Sequence, residues 1–222
     1  MPKNYHYYLP MADDALKAWA GKVCYRSGDP QENVMQSDPI KQPLAKLATL
    51  TGGGAAKNVL YVIVHGAESS PDLIGAQISK EPELWRKENY EWLAEDLIKN
   101  GLPAEVRVTL KLLACWGGDV RRSWSDFFAG KAKRSLASQL YEYLALKKHY
   151  NRLIVYGYHG AILQTTYHQK HHYVNQTEKK IDADTIRALE EKSSDDVELA
   201  AALKKEGIFI RKGQREIFGP RY

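Results

Sequence analysis

His65 and Cys115 each stand at the end of an apolar run. Val59-Leu60-Tyr61-Val62-Ile63-Val64 leads into His65-Gly66, and residues 106–113 lead into Ala114-Cys115-Trp116-Gly117-Gly118. A thiol attacks a carbonyl as thiolate, and the amine that departs needs a proton. One imidazole within reach serves both needs, first as base and then as acid. The backbone N–H groups of Gly66 and Cys115 are candidate oxyanion donors, because a Gly after the His lets a substrate backbone approach closely. Cys115 is thus the candidate nucleophile and His65 its candidate acid–base partner. Taken singly, a free Cys or a His in an apolar setting is more often a packed core residue. Their pairing at two strand ends, with glycines beside them, favours catalysis.

The elements that must position them follow from periodicity. Residues 59–64 are continuously apolar and β-branched, which suits a strand buried on both faces of a parallel sheet. Residues 106–113 and 153–158 read as its neighbours. Between the first two lies an amphipathic helix over 88–100, with Tyr90, Leu93, Ala94, Leu97 and Ile98 on one stripe and Asn100-Gly101 as its stop. Between the second and third lies a helix capped by Ser135, with Leu136, Leu140 and Leu144 inward. Strand, helix, strand, helix, strand is the order of βαβ units. Open sheets of this kind bind ligands at the carboxyl ends of their strands.

Around this centre, residues 3–9 read as a strand stopped by Pro10. Residues 11–20 read as a helix with Asp13 and Asp14 in its first turn and Gly21 as its end. Residues 22–26 read as a further short strand, and 27–43, with a Gly, three Pro, Asn, Asp and Ser, as a long loop. A short helix is expected near 44–50. Thr51-Gly52-Gly53-Gly54 and Lys57 lack the spacing of a phosphate loop and precede a strand, so they are a connecting turn. A turn cluster at 68–72 leads to a small hairpin arm at 73–79. Residues 116–134 read as a loop and 163–181 as a polar stretch. Helices are expected near 184–191 and 195–205, and a C-terminal β-hairpin at 208–211 and 215–218.

Cys115 follows His65 by 50 residues, the separation found in caspases, whose nucleophile lies in an Ala-Cys-x-Gly setting. Ala114-Cys115-Trp116-Gly117 matches that core, with Leu113 where caspases carry Gln. The chain resembles caspase-like cysteine peptidases. Within them it is most similar to the self-processing protease domains of RTX-type bacterial toxins and their stand-alone effector relatives. The likeness covers roughly residues 59–161. It includes the helix around Trp92-Leu93-Ala94, the Gly101-Leu102-Pro103 that follows it, Ser135-Leu136-Ala137, and Val155-Tyr156-Gly157. The resemblance implies an α/β fold with a mainly parallel central sheet flanked by helices. It also implies peptide-bond cleavage by a Cys–His dyad with no required acid. Residues 1–50 are then an N-terminal extension packed on or preceding the core, and 51–222 the protease domain.

Charge is uneven. Residues 1–119 carry 13 Lys or Arg against 15 Asp or Glu, whereas residues 120–222 carry 19 against 12. A basic half suits a polyanion, although Lys and Arg are ordinarily solvated anyway. In the toxin domains inositol hexakisphosphate binds a basic surface and assembles the active site. The resemblance makes Arg121, Arg122, Lys131, Lys133, Arg134, Arg211, Lys212 and Arg215 the candidate ligands here. No cofactor is required for the chemistry. His168, His171 and His172 lack a fourth ligand at metal-site spacing and read as an exposed cluster. His159-Gly160 echoes His65-Gly66, either shaping the substrate pocket or merely ending a strand. Asp119 is read as a solvated loop residue, with orientation of His65 as the alternative. Trp116 and Trp124 are read as packing residues, with the substrate groove as the alternative.

Two cysteines build no disulfide framework, and no run approaches the ~20 apolar residues of a membrane helix or the apolar core of a signal peptide. The expected setting is the cytoplasm, or a target-cell cytosol reached without a cleavable signal. Expected partners are a protein or peptide substrate, including the chain itself, and a polyphosphate, but not nucleic acid. The rival reading is an inactive caspase-like module that binds a polyanion or a protein partner. A third is different thiol chemistry on the same dyad.

Overall fold

The computed structural model describes residues 3–11, 13–26, 31–49, 57–67, 70–79, 84–114, 134–158, 161–162, 172–175, 201–202, 204–205, 209–212 and 215–220. Its strands, in chain order, are β1 (Lys3–Leu9), β2 (Val34–Gln36), β3 (Lys57–Ile63), β4 (His65–Ala67), β5 (Ser70–Ser79), β6 (Leu84–Glu88), β7 (Val108–Leu113), β8 (Leu153–Tyr158), β9 (Ala161–Ile162), β10 (His172–Asn175), β11 (Phe209–Lys212) and β12 (Arg215–Phe218). The helices are α1 (Asp14–Arg26), α2 (Lys46–Thr49), α3 (Tyr90–Lys99) and α4 (Leu136–Glu142), the last continuing as a π-helical turn through Tyr143–Lys147. Among the described residues no helix is long and apolar enough to cross a membrane.

The continuous apolar runs become the centre of a six-stranded sheet ordered β12-β8-β7-β3-β1-β2. All its pairings are parallel except that of β12 with β8. Leu60, Val62, Ile63, Leu110, Leu112 and Val155 are buried, as strands covered on both faces require. One register row crosses four strands as Tyr7, Tyr61, Lys111 and Tyr156. The Tyr7 and Tyr61 rings stack at 5.4 Å, and Lys111 Nζ donates to the Tyr61 hydroxyl at 3.1 Å.

The helices expected between the strands form, α3 starting at Tyr90, two residues later than expected. Asn89 caps α3 by accepting the Trp92 N–H at 3.0 Å, and Leu93, Ala94 and Leu97 bury its inner face. The chain then turns at Gly101, whose φ of +84° suits only a residue without a side chain. Ser135 caps α4 through the Ser138 N–H.

Four expectations are corrected. Gly21 does not end α1, which runs on to Arg26 and replaces the strand expected at 22–26. The physical reason is the apolar stripe of Leu16, Trp19, Ala20 and Cys24, all buried, whose spacing continues past the glycine. The expected loop over 27–43 contains β2, a three-residue strand too short to announce itself, with Met35 in the core. β5 begins at Ser70, inside the stretch 68–72 expected to be a turn cluster. The two C-terminal strands exist but do not form a hairpin. β11 pairs with β10 in a small three-stranded sheet, whereas β12 runs antiparallel along β8. The edge of β8 offers unpaired backbone groups, and β12 covers it, with Phe218 stacked on Tyr141 of α4.

Residues 3–49 do more than precede the core. β1 lies between β3 and β2, and Tyr7 and Tyr8 are fully buried, so residue 50 marks no edge of the sheet. A buried polar cluster ties this part to α3. Tyr8 donates to Asp96 Oδ2 at 2.6 Å and Ser37 to Asp96 Oδ1 at 2.8 Å, while Asn100 Oδ1 accepts the Asp38 N–H. Burial raises the Asp96 carboxyl above its ordinary range despite these donors.

Candidate active site

β3 and β7 end in register. Ile63 is opposite Leu113, and the Val64 N–H donates to the Leu113 carbonyl at 3.2 Å. Two residues beyond this last pair, in sequence, come His65 after β3 and Cys115 after β7. Cys115 lies outside the described residues, as do Trp116, Asp119, Arg121, Arg122, Trp124, Lys131, Lys133, His159, Gly160, His168 and His171. What is described is the His side of the site and its surroundings.

The chain leaves β3, and His65 opens β4, the first strand of a three-stranded antiparallel sheet ordered β4-β5-β6. His65 is opposite Gly75, Gly66 is opposite Ile74, and the register breaks between Gly66 and Ala67. A register break of this kind bends a strand and re-aims its groups. Gly66, the candidate oxyanion donor, sits at that bend.

The His65 ring is 31% exposed, and its Nε2 lies 2.9 Å from Oδ2 of Asp13, whose side chain is only 7% exposed. Asp13 is itself fixed. It precedes α1 and caps it, Oδ1 accepting the Leu16 N–H at 2.8 Å. Oδ2 also accepts the Gln77 N–H of β5 at 3.0 Å. Burial acts to raise the Asp13 carboxyl. The Leu16 and Gln77 N–H groups and His65 together outweigh it and hold the carboxyl below its ordinary range. Asp13 is therefore an anion at neutral pH, accepting from Nε2–H. That bond selects the tautomer in which Nδ1 carries the lone pair. The ring also meets Trp85 of β6, with centroids 5.2 Å apart and planes at 80°.

Sequence reasoning missed Asp13 as a partner. In sequence Asp119 is the carboxylate near Cys115 that could orient His65, and Asp13 is only an acid in the first turn of a helix. A usable signal was present: a carboxylate capping the helix that follows a strand lies at the carboxyl end of that strand, where His65 also lies. Trp85 and Gln77 carried no such signal.

The candidate polyanion ligands are not one described cluster. Arg134 pairs with Glu142 on α4. Arg211 and Lys212 lie on β11, opposite Tyr173 and His172, and Arg215 lies on β12, opposite Tyr158 of the central sheet. His172, expected in a polar stretch, is in strand β10.

No known family model matches this chain, and no curated protein matches it.

Proposed function

We propose that this chain is a caspase-like cysteine peptidase in which Cys115 is the nucleophile, His65 the acid–base and Asp13 the carboxylate that orients His65. The observation that carries the reading is the in-register end of β3 and β7, followed by a His whose Nε2 is held by a buried aspartate.

Asp13 fixes the imidazole and stabilises its charged form, as a third group does in nucleophile–base pairs. Nδ1 takes the proton of the Cys115 thiol. The thiolate adds to the scissile carbonyl carbon, and its oxygen gathers charge that the N–H groups of Gly66 and Cys115 stabilise. Nδ1–H then protonates the departing amine, leaving an acyl-thioester that water cleaves with His65 again as base. The carboxylate separates this arrangement from a dyad without an acid.

The same reading assigns inositol hexakisphosphate as an activator that engages the basic residues after position 120. It assigns the protein a toxin- or effector-type role in a cytosolic setting, with itself or a target-cell protein as substrate. Incubation with a peptide-based thiol electrophile, followed by intact-mass analysis, tests the chemistry. Expected is one adduct that is lost in Cys115→Ala, slowed in His65→Ala, and accelerated by inositol hexakisphosphate. Labelling of Cys115 no faster than that of Cys24, with or without the polyphosphate, would end the peptidase reading in favour of an inactive binding module.

A further inference from the structure

Trp85 reaches His65 across a strand that separates them. His65 is on β4 and Trp85 on β6, with β5 between. Adjacent strands are about 4.8 Å apart, so backbones two strands apart are separated by about twice that. Side chains at that separation ordinarily meet the side chain of the middle strand first. Here the ring centroids are 5.2 Å apart.

The middle residue explains it. Gly75 is the register partner of His65, and Trp85 lies on the neighbouring strand opposite Gln77. Ile74 and Ala76 are buried on one face of β5, so a side chain at position 75 would emerge on the other, the face that His65 and Trp85 share. A Cβ built on Gly75 would stand 3.0 Å from the Arg86 carbonyl oxygen and 3.6 Å from Cε3 of the Trp85 indole. The indole therefore lies over bare backbone. β5 supports the imidazole twice: its Gln77 N–H holds Asp13, and its missing side chain at Gly75 gives Trp85 passage.

We infer that Trp85 is a positioning residue for His65, bracing the imidazole from one side while Asp13 holds Nε2 from another. The contact stands on geometry alone, and its catalytic consequence rests on the peptidase reading. With only one of the two supports the ring keeps a hydrogen bond but gains freedom to turn about it. Misplacement of a reacting group by about 1 Å can cost up to 10²-fold in rate.

Two readouts test this separately. A protonated imidazole quenches a neighbouring indole, so wild-type tryptophan emission should show a step with pH that is absent in both Trp85→Phe and His65→Gln. Alkylation of Cys115 by a small thiol reagent, followed across pH, should slow about 10-fold in Trp85→Ala, with most of the rate recovered in Trp85→Phe. Gly75→Val, which pushes the indole away, should resemble Trp85→Ala in both readouts. Urea unfolding of each variant confirms a folded protein. An emission step unchanged in Trp85→Phe would overturn the contact. Wild-type rate and pH profile in a folded Trp85→Ala would overturn the positioning role. If wild-type Cys115 reacts no faster than Cys24, the peptidase reading falls and the positioning role with it, while the emission step still reports the contact.

Discussion

Asp13→Asn exchanges one carboxylate oxygen for an amide, and the three donors on Asp13 make the cost calculable. Oδ1 holds the Leu16 N–H, and Oδ2 holds both the Gln77 N–H and His65 Nε2. An Asn has a single oxygen. Turned toward Leu16, it sets its NH2 against the half-buried Gln77 N–H, an unsatisfied pair costing about 1–3 kcal/mol. Turned toward Gln77 and His65, it loses the helix cap, about 1 kcal/mol. The second orientation wins, and charge assistance disappears from the bonds that remain. The expected loss is therefore about 1–3 kcal/mol at pH 7.

The loss should depend on pH in a defined direction. The folded Asp13 carboxyl lies below its ordinary range, so its contribution is complete above the unfolded value of about 3.9 and disappears as pH falls through the folded value. Urea unfolding should show wild type and Asp13→Asn separated at pH 7 and converging below about pH 4. Alkylation of Cys115 should slow about 10²-fold, the lower end for a positioned acid–base, because the amide oxygen still fixes the tautomer but no longer stabilises the imidazolium. Equal stabilities at pH 7, or a gap that persists unchanged into acid, would refute the assignment of Asp13 as a buried anion holding His65.

Two further outcomes follow from the N-terminal strand. Burial first, and then the neighbouring Asp96, push the Tyr8 hydroxyl far above the tyrosine range, so unfolding lets it ionise near pH 10 and stability falls as pH rises past about 10. Tyr8→Phe should cost about 1.5–3 kcal/mol at pH 8, the worth of a hydrogen bond to a charged group, and should weaken that alkaline decline, read from urea midpoints at pH 8 and 10.5. A variant lacking residues 1–36 should show no cooperative unfolding by calorimetry, because it strips β1 from β3 and removes Asp13; a propeptide could be removed with the transition intact.

Much of the centre was legible because its signals are local. Residues 59–64 advertise themselves by an unbroken apolar run, 106–113 and 153–158 by content dominated by Val, Leu, Ile and Tyr, and α3 by its stripe and its Asn-Gly stop. Those features also put His65 and Cys115 just beyond neighbouring strands. What was not legible is partner choice. Asp13 and His65 are 52 residues apart; the cap places Asp13 at the carboxyl end of β1, but the meeting itself follows from β1 pairing with β3, which no local signal announces. Likewise 208–211 and 215–218 look like a hairpin because hairpins are the commonest fate of two close strands. The free edge of β8 won one of them and β10 the other. In sequence Gly75 is one more residue of a hairpin arm; only the pairing of β5 with β6 gives its missing side chain a use.

The pairing of β12 with β8 has a consequence during synthesis. Arg215 is made 57 residues after Tyr158, its partner. At roughly 5–20 residues per second, the nascent chain carries β8 for about 3–11 s before β12 has been made to cover it. Throughout that interval Leu153–Tyr158 presents an open apolar edge suited to pairing with another chain. A ribosome that stalls within those residues, or a message truncated there, yields a product with its central strands in place and one flank bare. Such a product invites chaperone capture or co-aggregation in proportion to the length of the pause.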